Sequence, residues 1–522
     1  MKGFFAIPIF LLPALAGAHV GSPNVFFDGH AGPYPVRVFM RPPAVLPGTA
    51  QVDVRVDGAT RVTLQPVLWE AGSKAAAEPV AATAVTGEPN LYNGVLWLFY
   101  GGSYGIHVHV EGNRGSGTAI VPLNSAALRQ PNMSASLALM LIVLGVLLFA
   151  GLVWFVAVAA REGTVEPGSV PGARDCARAH LAAVVSVLLL AGASWAVQMR
   201  WQKMDREFRA NALYRPTAVS ATLSPRGDLR LLELTPPAEN ASVTSWDTLV
   251  ADHGKLLHLF LIREPDVKVF AHLHPVRRDT QRFEGILPAL PAGHYELYGE
   301  ITHENGISET LVTNLVLPQP LGRPPQVPLS SDLTNDVFCQ STLTVATNAM
   351  QPVALDMDDS WHLGANTVDS RGLDPVECRL MGGLTMVFQS PGELVENRET
   401  LLRFAVFSPN REPARLQPYM GMAGHCVVRR SDGAVFTHLH PVGTISMAAQ
   451  QLFVQKEGGG NSAPGVWMTN NIVRGTSSPG PGNEVTFPYA FPRPGNYRLW
   501  VQVRTGGRVL TGTFGVTVKT AR

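Results

Sequence analysis

The chain has 522 residues, of which only 16% are charged, and its formal net charge is +1. This length is too great for one hydrophobic core, so about three or four domains are expected, and the near-zero net charge gives no electrostatic basis for nucleic-acid binding. Glycine (50 residues) and proline (41) are abundant, which favours short strands joined by turns and predicts a mainly β protein.

The first 18 residues, MKGFFAIPIFLLPALAGA, combine an early lysine, an apolar stretch and a small-residue cleavage motif. This pattern predicts a secretory signal peptide over residues 1–18. An uncleaved membrane anchor is the alternative, and the shortness of the apolar run argues against it. Cleavage would make His19 the first residue of an exported protein.

Residues 19–132 alternate apolar and polar side chains in short runs such as QVDVRVDG and GIHVHVEG. The alternation predicts an N-terminal immunoglobulin-like β-sandwich. His107 and His109 would share one face of a strand. Together with His30 and an N-terminal His19, whose amine and ring can both bind copper, they form a candidate metal site. The alternative is that the strand histidines are half-exposed and bind nothing.

Two apolar stretches, residues 137–160 and 179–199, are each long enough to cross a bilayer, and residues 161–178 would form a short inner loop. A cleaved signal peptide places both large soluble parts on the exported, periplasmic side of the cell membrane. Three arginines in the loop and four basic residues after the second helix give no clear bias, so this orientation depends on the signal peptide.

Residues 206–320 and 330–522 predict two further β-sandwiches, and the second copies motifs of the first. FAHLHPV at 270–276 recurs as FTHLHPV at 436–442, and PAGHYELYGE at 291–300 recurs as RPGNYRLWVQ at 493–502. The second copy carries an insertion rich in glycine, serine and proline between these motifs, which predicts exposed loops. The sequence thus predicts one N-terminal and two C-terminal sandwiches joined by a transmembrane helix hairpin.

Each HLHP motif places two histidines on the same face of a strand, since residues i and i+2 point the same way. These pairs are His272 with His274 and His438 with His440. A third histidine, His258 or His425, precedes each pair by 14 or 13 residues, as expected for a hairpin neighbour. Three imidazoles on one hairpin face predict a metal site in each copy.

The fourth position differs between the copies, being His253 in the first and Met420 or Met422 in the second. Imidazole suits copper and zinc, whereas a thioether selects Cu(I). Copper is therefore favoured over zinc, with Cu(II) expected at the first site and Cu(I) at the second. The alternatives are that the motifs only stabilise hairpins and that the methionines fill the core.

The chain contains four cysteines. Cys176 falls in the predicted inner loop, Cys339 and Cys378 are the favoured disulfide pair, and Cys426 is expected in the core. The sequence has no H-E-x-x-H, phosphate-loop or dinucleotide motif, so it favours a protein without catalytic activity.

The segments GHAGPYPVRVFMRPPAVLPG and YGIHVHVEG resemble those of YtkA-like exported β-sandwich domains. DHGKLLHLFLI, FAHLHP and YMGMAGHCVVRRSDGAVFTHLHPV are similar to segments of a family of bacterial membrane-anchored exported β-sandwich proteins with HLHP motifs. Because neighbouring groups include copper carriers and oxidase-assembly factors, the resemblance implies metal handling. The predicted N-terminal histidine also resembles the copper site of lytic polysaccharide monooxygenases, although the domain is short and lacks cysteine.

These observations predict a membrane-anchored exported protein that carries or buffers copper without catalysis. Its partners would be the membrane and another exported protein. The first alternative is a structural or protein-interaction module in which the HLHP segments only stabilise hairpins, and the second is a copper-dependent oxidase or monooxygenase.

Overall fold

The computed structural model describes residues 19–20, 24–130, 133–166, 168–226, 229–238, 245–319, 344–345, 353–364, 368–369, 376–389, 392–458 and 482–521. Within these residues the chain is mainly β, with several sheets and two long apolar helices, which confirms the predicted fold class. The predicted signal peptide, residue Cys339 and most of the glycine-rich insertion lie outside the described residues.

The N-terminal sandwich is built from two antiparallel sheets, with strand orders β2-β3-β4-β8-β7 and β10-β9-β5-β6. The alternation seen in the sequence places Val52, Val54 and Val56 inward, where all three are buried. The strands up to the first long helix are β1 (His19–Val20), β2 (Val25–Ala31), β3 (Tyr34–Arg41), β4 (Gly48–Val56), β5 (Ala59–Leu68), β6 (Val80–Ala81), β7 (Thr83–Ala84), β8 (Leu91–Leu98), β9 (Gly102–Gly112) and β10 (Gly115–Ser125).

Two helices follow, α1 (Ala135–Glu162) and α2 (Ala173–Asn211), and both are long and apolar enough to cross a membrane. The hydroxyl of Ser134 caps α1 by accepting the backbone N–H of Leu137. Helix α2 runs beyond the apolar stretch at 179–199 and occupies the first residues of the range assigned to the second sandwich. Its polar end is stabilised by pairs four residues apart, Lys203 with Glu207 and Asp205 with Arg209.

The second sandwich packs a sheet of order β11-β20-β19-β15-β16-β23 against a sheet of order β12-β13-β18-β17. Trp246, Leu261 and Phe283 are among the buried residues between the sheets. Its strands are β11 (Thr217–Ala218), β12 (Ser220–Arg226), β13 (Leu229–Thr235), β14 (Leu249–Val250), β15 (His258–Glu264), β16 (Phe270–Leu273), β17 (Val276–Asp279), β18 (Arg282–Leu287), β19 (Gly293–His303), β20 (Ser308–Leu317) and β23 (Ser360–His362). Strands β21 (Thr344–Val345) and β22 (Val353–Ala354) form a separate two-stranded sheet.

The third sandwich repeats this plan, with sheet orders β1-β30-β29-β32-β33-β24 and β25-β26-β28-β31. Strands β29, β30, β32 and β33 take the places that β15, β16, β19 and β20 hold in the second. The remaining elements are β24 (Val368–Asp369), β25 (Val376–Arg379), β26 (Thr385–Gln389), β27 (Leu394–Val395), β28 (Thr400–Phe407), β29 (His425–Arg430), β30 (Val435–Leu439), α3 (Met447–Gly458), β31 (Glu484–Tyr489), β32 (Gly495–Thr505) and β33 (Arg508–Lys519).

Two segments differ from the sequence-based plan. Residues 353–364 were assigned to the third sandwich, yet β23 pairs with β16, and Leu355 and Trp361 lie in the core of the second. The insertion after the second HLHP motif begins with helix α3 instead of an exposed loop. Phe453 of this helix is fully buried and packs edge-on against Trp69 of the N-terminal sandwich.

The second and third sandwiches pack through equivalent strands, and the contacts between them are reciprocal. Phe270 of the second stacks on Trp500 of the third at 5.0 Å between ring centroids. In the mirrored contact, Phe436 of the third stacks on Tyr298 of the second at 4.0 Å. Arg429 of the third, only 2% exposed, is paired with two glutamates of the second, Glu264 and Glu296. The two copies therefore meet as a pseudo-twofold pair.

This interface predicts a large difference between two tryptophan variants. Trp500→Ala should lower the free energy of unfolding by about 3–5 kcal/mol, because a fully buried ring is lost and a cavity remains. Trp97→Ala, whose ring is 58% exposed, is the matched control and should change it by less than about 0.5 kcal/mol. Urea unfolding of the detergent-solubilised chain, followed by tryptophan fluorescence, measures both. Equal effects would contradict the described packing.

Candidate metal centre

The first group of histidines, which we call the first trio, consists of His258, His272 and His274. His258 begins β15, and the other two follow the i, i+2 spacing along β16 and just beyond it. Nδ1 of His258 lies 3.1 Å from Nε2 of His272, and the rings of His272 and His274 are 4.6 Å apart. One nitrogen from each ring lies within 4.8 Å of the others.

The second trio consists of His425, His438 and His440 and has the same geometry. Nδ1 of His425 lies 3.0 Å from Nε2 of His438, and the rings of His438 and His440 are 4.6 Å apart. The facing nitrogens again lie within 4.8 Å of one another. All six side chains of the two trios are buried. The sequence-predicted hairpin groupings are therefore brought together in both copies.

Each ring of the first trio uses its outer nitrogen in a hydrogen bond that points away from the group. His258 Nε2 contacts the backbone oxygen of Asp252 at 3.1 Å, and His272 Nδ1 contacts Oε1 of Gln502 at 3.0 Å. His274 Nδ1 lies 2.9 Å from Oδ1 of Asp359. The remaining nitrogen of His274, Nε2, is buried without a hydrogen-bond partner.

The second trio repeats this arrangement with different partners. His425 Nε2 contacts the backbone oxygen of Tyr419 at 3.2 Å, and His440 Nδ1 contacts that of Ile445 at 3.3 Å. His438 Nδ1 lies 3.1 Å from Oε2 of Glu300. Nε2 of His440 is buried without a hydrogen-bond partner, as Nε2 of His274 is in the first trio.

These outer contacts determine which nitrogens are free. A backbone carbonyl oxygen only accepts, so the outer nitrogens of His258 and His425 carry the hydrogen and their inner nitrogens present lone pairs. Gln502 uses its amide nitrogen on Ser360, so its oxygen faces His272, whose inner nitrogen is then also bare. Two lone pairs about 3 Å apart repel each other unless a cation, either a proton or a metal ion, lies between them.

Two hydrogen bonds cross between the sandwiches in opposite directions. Gln502 of the third sandwich binds His272 of the second, and Glu300 of the second binds His438 of the third. Glu300 and Gln502 occupy equivalent positions, opposite His258 and His425 in their own sheets. The trios consequently face each other, with ring centroids of His272 and His438 only 5.5 Å apart.

His253 lies beside the second trio, although the sequence assigned it to the first. Its ring centroid is 4.7 Å from that of His440 and 5.5 Å from that of His425, but 6.2 Å from that of His258. The hairpin pattern could not show this because the turn reaches across to the other sandwich, where the Asp252 carboxylate accepts the backbone N–H of Ala448.

Met420 occupies the turn position equivalent to His253. Both residues have positive φ, 48° and 52°, and each is followed by a glycine that also has positive φ. The turns are closed alike, by backbone bridges between Asp252 and Lys255 and between Tyr419 and Met422. Met420 and Met422 are both buried.

Burial controls the charge of the cluster. Burial lowers the pKa of the six trio histidines and of His253 below the usual value, and the pKa of His440 falls to about 4. These rings are therefore neutral at neutral pH. Burial also raises the pKa of Glu300 and of Asp359 to about 8. A cation in the trios would favour the ionised carboxylates.

Among the described residues, His107 and His109 belong to no group of converging ligand atoms. The backbone of His19 pairs with Val435 in the sheet of the third sandwich, whereas His107 and His109 lie on β9 of the N-terminal sandwich. His109 contacts Thr118 at 2.9 Å and Glu111 at 3.4 Å. Burial lowers the pKa of His107.

Cys426 is fully buried in the core of the third sandwich, as the sequence predicted, and burial raises the pKa of its thiol. Cys378 lies in the same core. Its predicted partner, Cys339, falls outside the described part of the chain, so the proposed disulfide stays a prediction.

Sequence reasoning missed the residues that support the trios, namely Asp252, Glu300, Asp359 and Gln502. A signal existed for two of them, since Glu300 and Gln502 are the last residues of the matching segments PAGHYELYGE and RPGNYRLWVQ. Asp359 had no such signal because it comes from a segment assigned to another domain.

Residues 380–520, which include the second trio, match a family model described as a domain of unknown function, DUF8832. No curated protein matches the chain.

Several solved structures show remote similarity. A 1.5-MDa bacterial ice-binding adhesin is 6% identical, with 91% of this chain and 92% of that chain covered and a TM-score of 0.14. Latent PorU from Porphyromonas gingivalis is 8% identical, with 91% and 32% covered and a TM-score of 0.14. An endo-fucoidan hydrolase of glycoside hydrolase family 107 is 10% identical, with 92% and 43% covered and a TM-score of 0.13.

Proposed function

We propose that this chain is a membrane-anchored, exported protein that binds copper at its paired histidine trios and carries or buffers the ion without catalysing a reaction. The observation that carries the proposal is the orientation of the six rings. The outer nitrogens of His258, His272 and His425 face oxygen acceptors, and one nitrogen from each ring lies within 4.8 Å of the others in each trio. Metal-binding histidines characteristically have this pattern, in which the second nitrogen is held by a carbonyl or carboxylate.

The spacing supports a metal ion as the cation between these nitrogens. Copper and zinc bond to imidazole nitrogen at about 2.0–2.1 Å, so two ligands of one ion lie about 3–4 Å apart. The closest pairs, at 3.0 and 3.1 Å, already match this spacing, and the wider ones need a small inward movement of the ring. The rings are also neutral, which removes the proton competition that weakens metal binding.

Copper is the first choice and zinc the second. Neutral imidazole suits both metals, but the methionines in the turn before β29 would add affinity for Cu(I), and an oxidising exported compartment is one where copper is handled. The exported location is supported by the signal-like N-terminus and by the two apolar helices.

Metal analysis of the purified chain tests the proposal. The detergent-solubilised protein would be loaded separately with copper and with zinc, desalted and measured by mass spectrometry of the metals. We expect about one copper ion per C-terminal sandwich, hence about two per chain. Recovering neither metal would reject the function and favour the alternative of a protein-interaction module with histidine-stabilised hairpins.

The proposed orientation predicts selective labelling of thiols. Cys176 lies at the start of α2 and is exposed, so it should escape a membrane-impermeant thiol reagent in intact cells and react after lysis. Lys74→Cys, at an exposed position of the N-terminal sandwich, is the matched control and should react in intact cells. The adduct masses can be read from purified protein. Labelling of Cys176 before lysis would reverse the topology.

A further inference from the structure

We propose that the two trios form one dinuclear centre, completed across the domain interface, in which His253 of the second sandwich is the fourth nitrogen ligand of the ion in the second trio. This inference rests on the proposed metal-binding function and goes beyond it, because two separate sites would satisfy that function equally well.

The two trios lie close to each other. The rings of His272 and His438 are 5.5 Å apart, and those of His258 and His438 are 5.6 Å apart, close to the 4.6–5.4 Å found within the first trio. An ion lies about 3 Å from the centroid of a ring that binds it, from a bond of about 2 Å plus the ring radius. Two ions bound on either side of the His272 and His438 rings are therefore at most about 12 Å apart.

His253 is buried and lies closest to the second trio. Its side chain is 1% exposed, and neither ring nitrogen has a hydrogen-bond partner. A buried, unpaired imidazole is costly unless it serves a purpose. The nearest rings are those of His440 and His425, whose centroids lie 4.7 and 5.5 Å from that of His253. A metal ion bound by these rings and by His253 would satisfy the buried imidazole.

The turn that carries His253 is anchored to both domains. Its neighbour Asp252 offers its backbone oxygen to His258 of the first trio and its carboxylate to the N–H of Ala448 in the third sandwich. The carboxylate also lies 3.5 Å from Nε2 of His253. One turn thus contacts both trios, and its position is determined from both domains.

Carboxyl groups near the trios can compensate the charge of two bound cations. Two cations in one buried region repel each other, and three carboxyl groups are available to offset them: Asp252, Glu300 and Asp359. A cavity of about 140 Å³ borders both trios and is lined by His258, His438, Asp252 and Glu300, among others. This space has room for several waters.

The pseudo-twofold relation gives the two sites different fourth ligands. By this relation we expect Met420, the equivalent of His253, on the side of the first trio, where the hydroxyl of its neighbour Tyr419 lies 3.5 Å from Nδ1 of His272. A soft thioether there and a fourth nitrogen at the second trio reverse the preference expected from sequence, with Cu(I) favoured at the first site and Cu(II) at the second.

Electron paramagnetic resonance of the full chain tests the proposal. The protein would be titrated with Cu(II) under non-reducing conditions, measuring bound copper and spin intensity at one and two equivalents. We expect two bound ions with a signal broadened by dipolar coupling, which requires two neighbouring spins. His272→Ala/His274→Ala should bind one ion and give a full-intensity isolated spectrum. His253→Ala should weaken the second-trio ion at least about tenfold, whereas the exposed-residue control His294→Ala should not.

The outcomes separate this inference from the proposed function. Two ions with an unbroadened, uncoupled spectrum, or a maximum of one ion, would overturn the dinuclear centre and leave metal binding intact. Unchanged affinity for both ions in His253→Ala would overturn the role of His253. Binding of no copper would reject both proposals. The wild-type titration decides the main point even if a variant fails to fold.

Discussion

The double variant His272→Ala/His438→Ala is expected to bind almost no copper. Each substitution removes one of three converging nitrogens from a trio and also breaks a hydrogen bond between the sandwiches, to Gln502 and to Glu300 respectively. With two nitrogens left per site, we expect affinity to fall by at least about 100-fold, comparable to the upper range for losing a supporting residue of a metal site. Copper content after desalting, and competition with a chelator of known affinity, measure the loss.

The matched control for this experiment is His30→Ala/His294→Ala, which removes two exposed histidines outside the cluster. It should retain the full copper content. The buried variant will also be less stable, since each orphaned partner costs about 1–3 kcal/mol. Near-ultraviolet circular dichroism of the metal-free proteins separates loss of ligands from loss of fold. Wild-type copper content in a folded double variant would show that the trios do not hold the metal.

Without metal, the protein is expected to lose stability steeply as the pH falls below about 6.5. Burial lowers the pKa of seven clustered histidines, so the unfolded chain takes up protons near pH 6.5 that the folded chain does not. Stability therefore declines from pH 6.5 towards the folded pKa values. For His440, with a folded pKa of about 4, the full effect corresponds to about 3 kcal/mol.

Two carboxyl groups oppose this trend. Glu300 and Asp359 have folded pKa values of about 8, so their contribution is complete below pH 4 and is lost as the pH rises through 8. Seven histidines outnumber them, and the net change between pH 6.5 and 5 is destabilising. Thermal unfolding at pH 7.5, 6.5 and 5.5 measures it, with His272→Ala/His438→Ala as a control that should show a shallower decline. A constant midpoint over this range would contradict the buried, neutral cluster.

Strand periodicity accounts for what the sequence could predict about the centre. The i, i+2 spacing and the 13- or 14-residue return to an upstream histidine are local properties of one hairpin, and both trios follow from them. The meeting of the trios is different, because it depends on stacking such as Phe270 on Trp500 between domains far apart in the chain. No local pattern encodes that contact, and His253 was consequently assigned to the wrong trio.

Domain boundaries show the same limit. The apolar run predicted a second span at 179–199, but the charged residues after it continue the helix to Asn211 through ion pairs on its own surface. Strand β23 follows a segment expected to begin the third sandwich, and pairing with β16 places it in the second. In both cases the boundary is determined by hydrogen bonds formed after the hydrophobic pattern has ended.

The presence of both copies in one polypeptide has an evolutionary consequence. A homodimer of a single sandwich would be obliged to place the same residue on both sides of its axis, so its two sites would be identical. Two copies in one chain need not be identical, and here they differ at two equivalent pairs, His253 with Met420 and Glu300 with Gln502. Substitutions in one half can therefore change the side chains on that side while the other half keeps its own, so the two trios need not bind a metal ion with equal affinity.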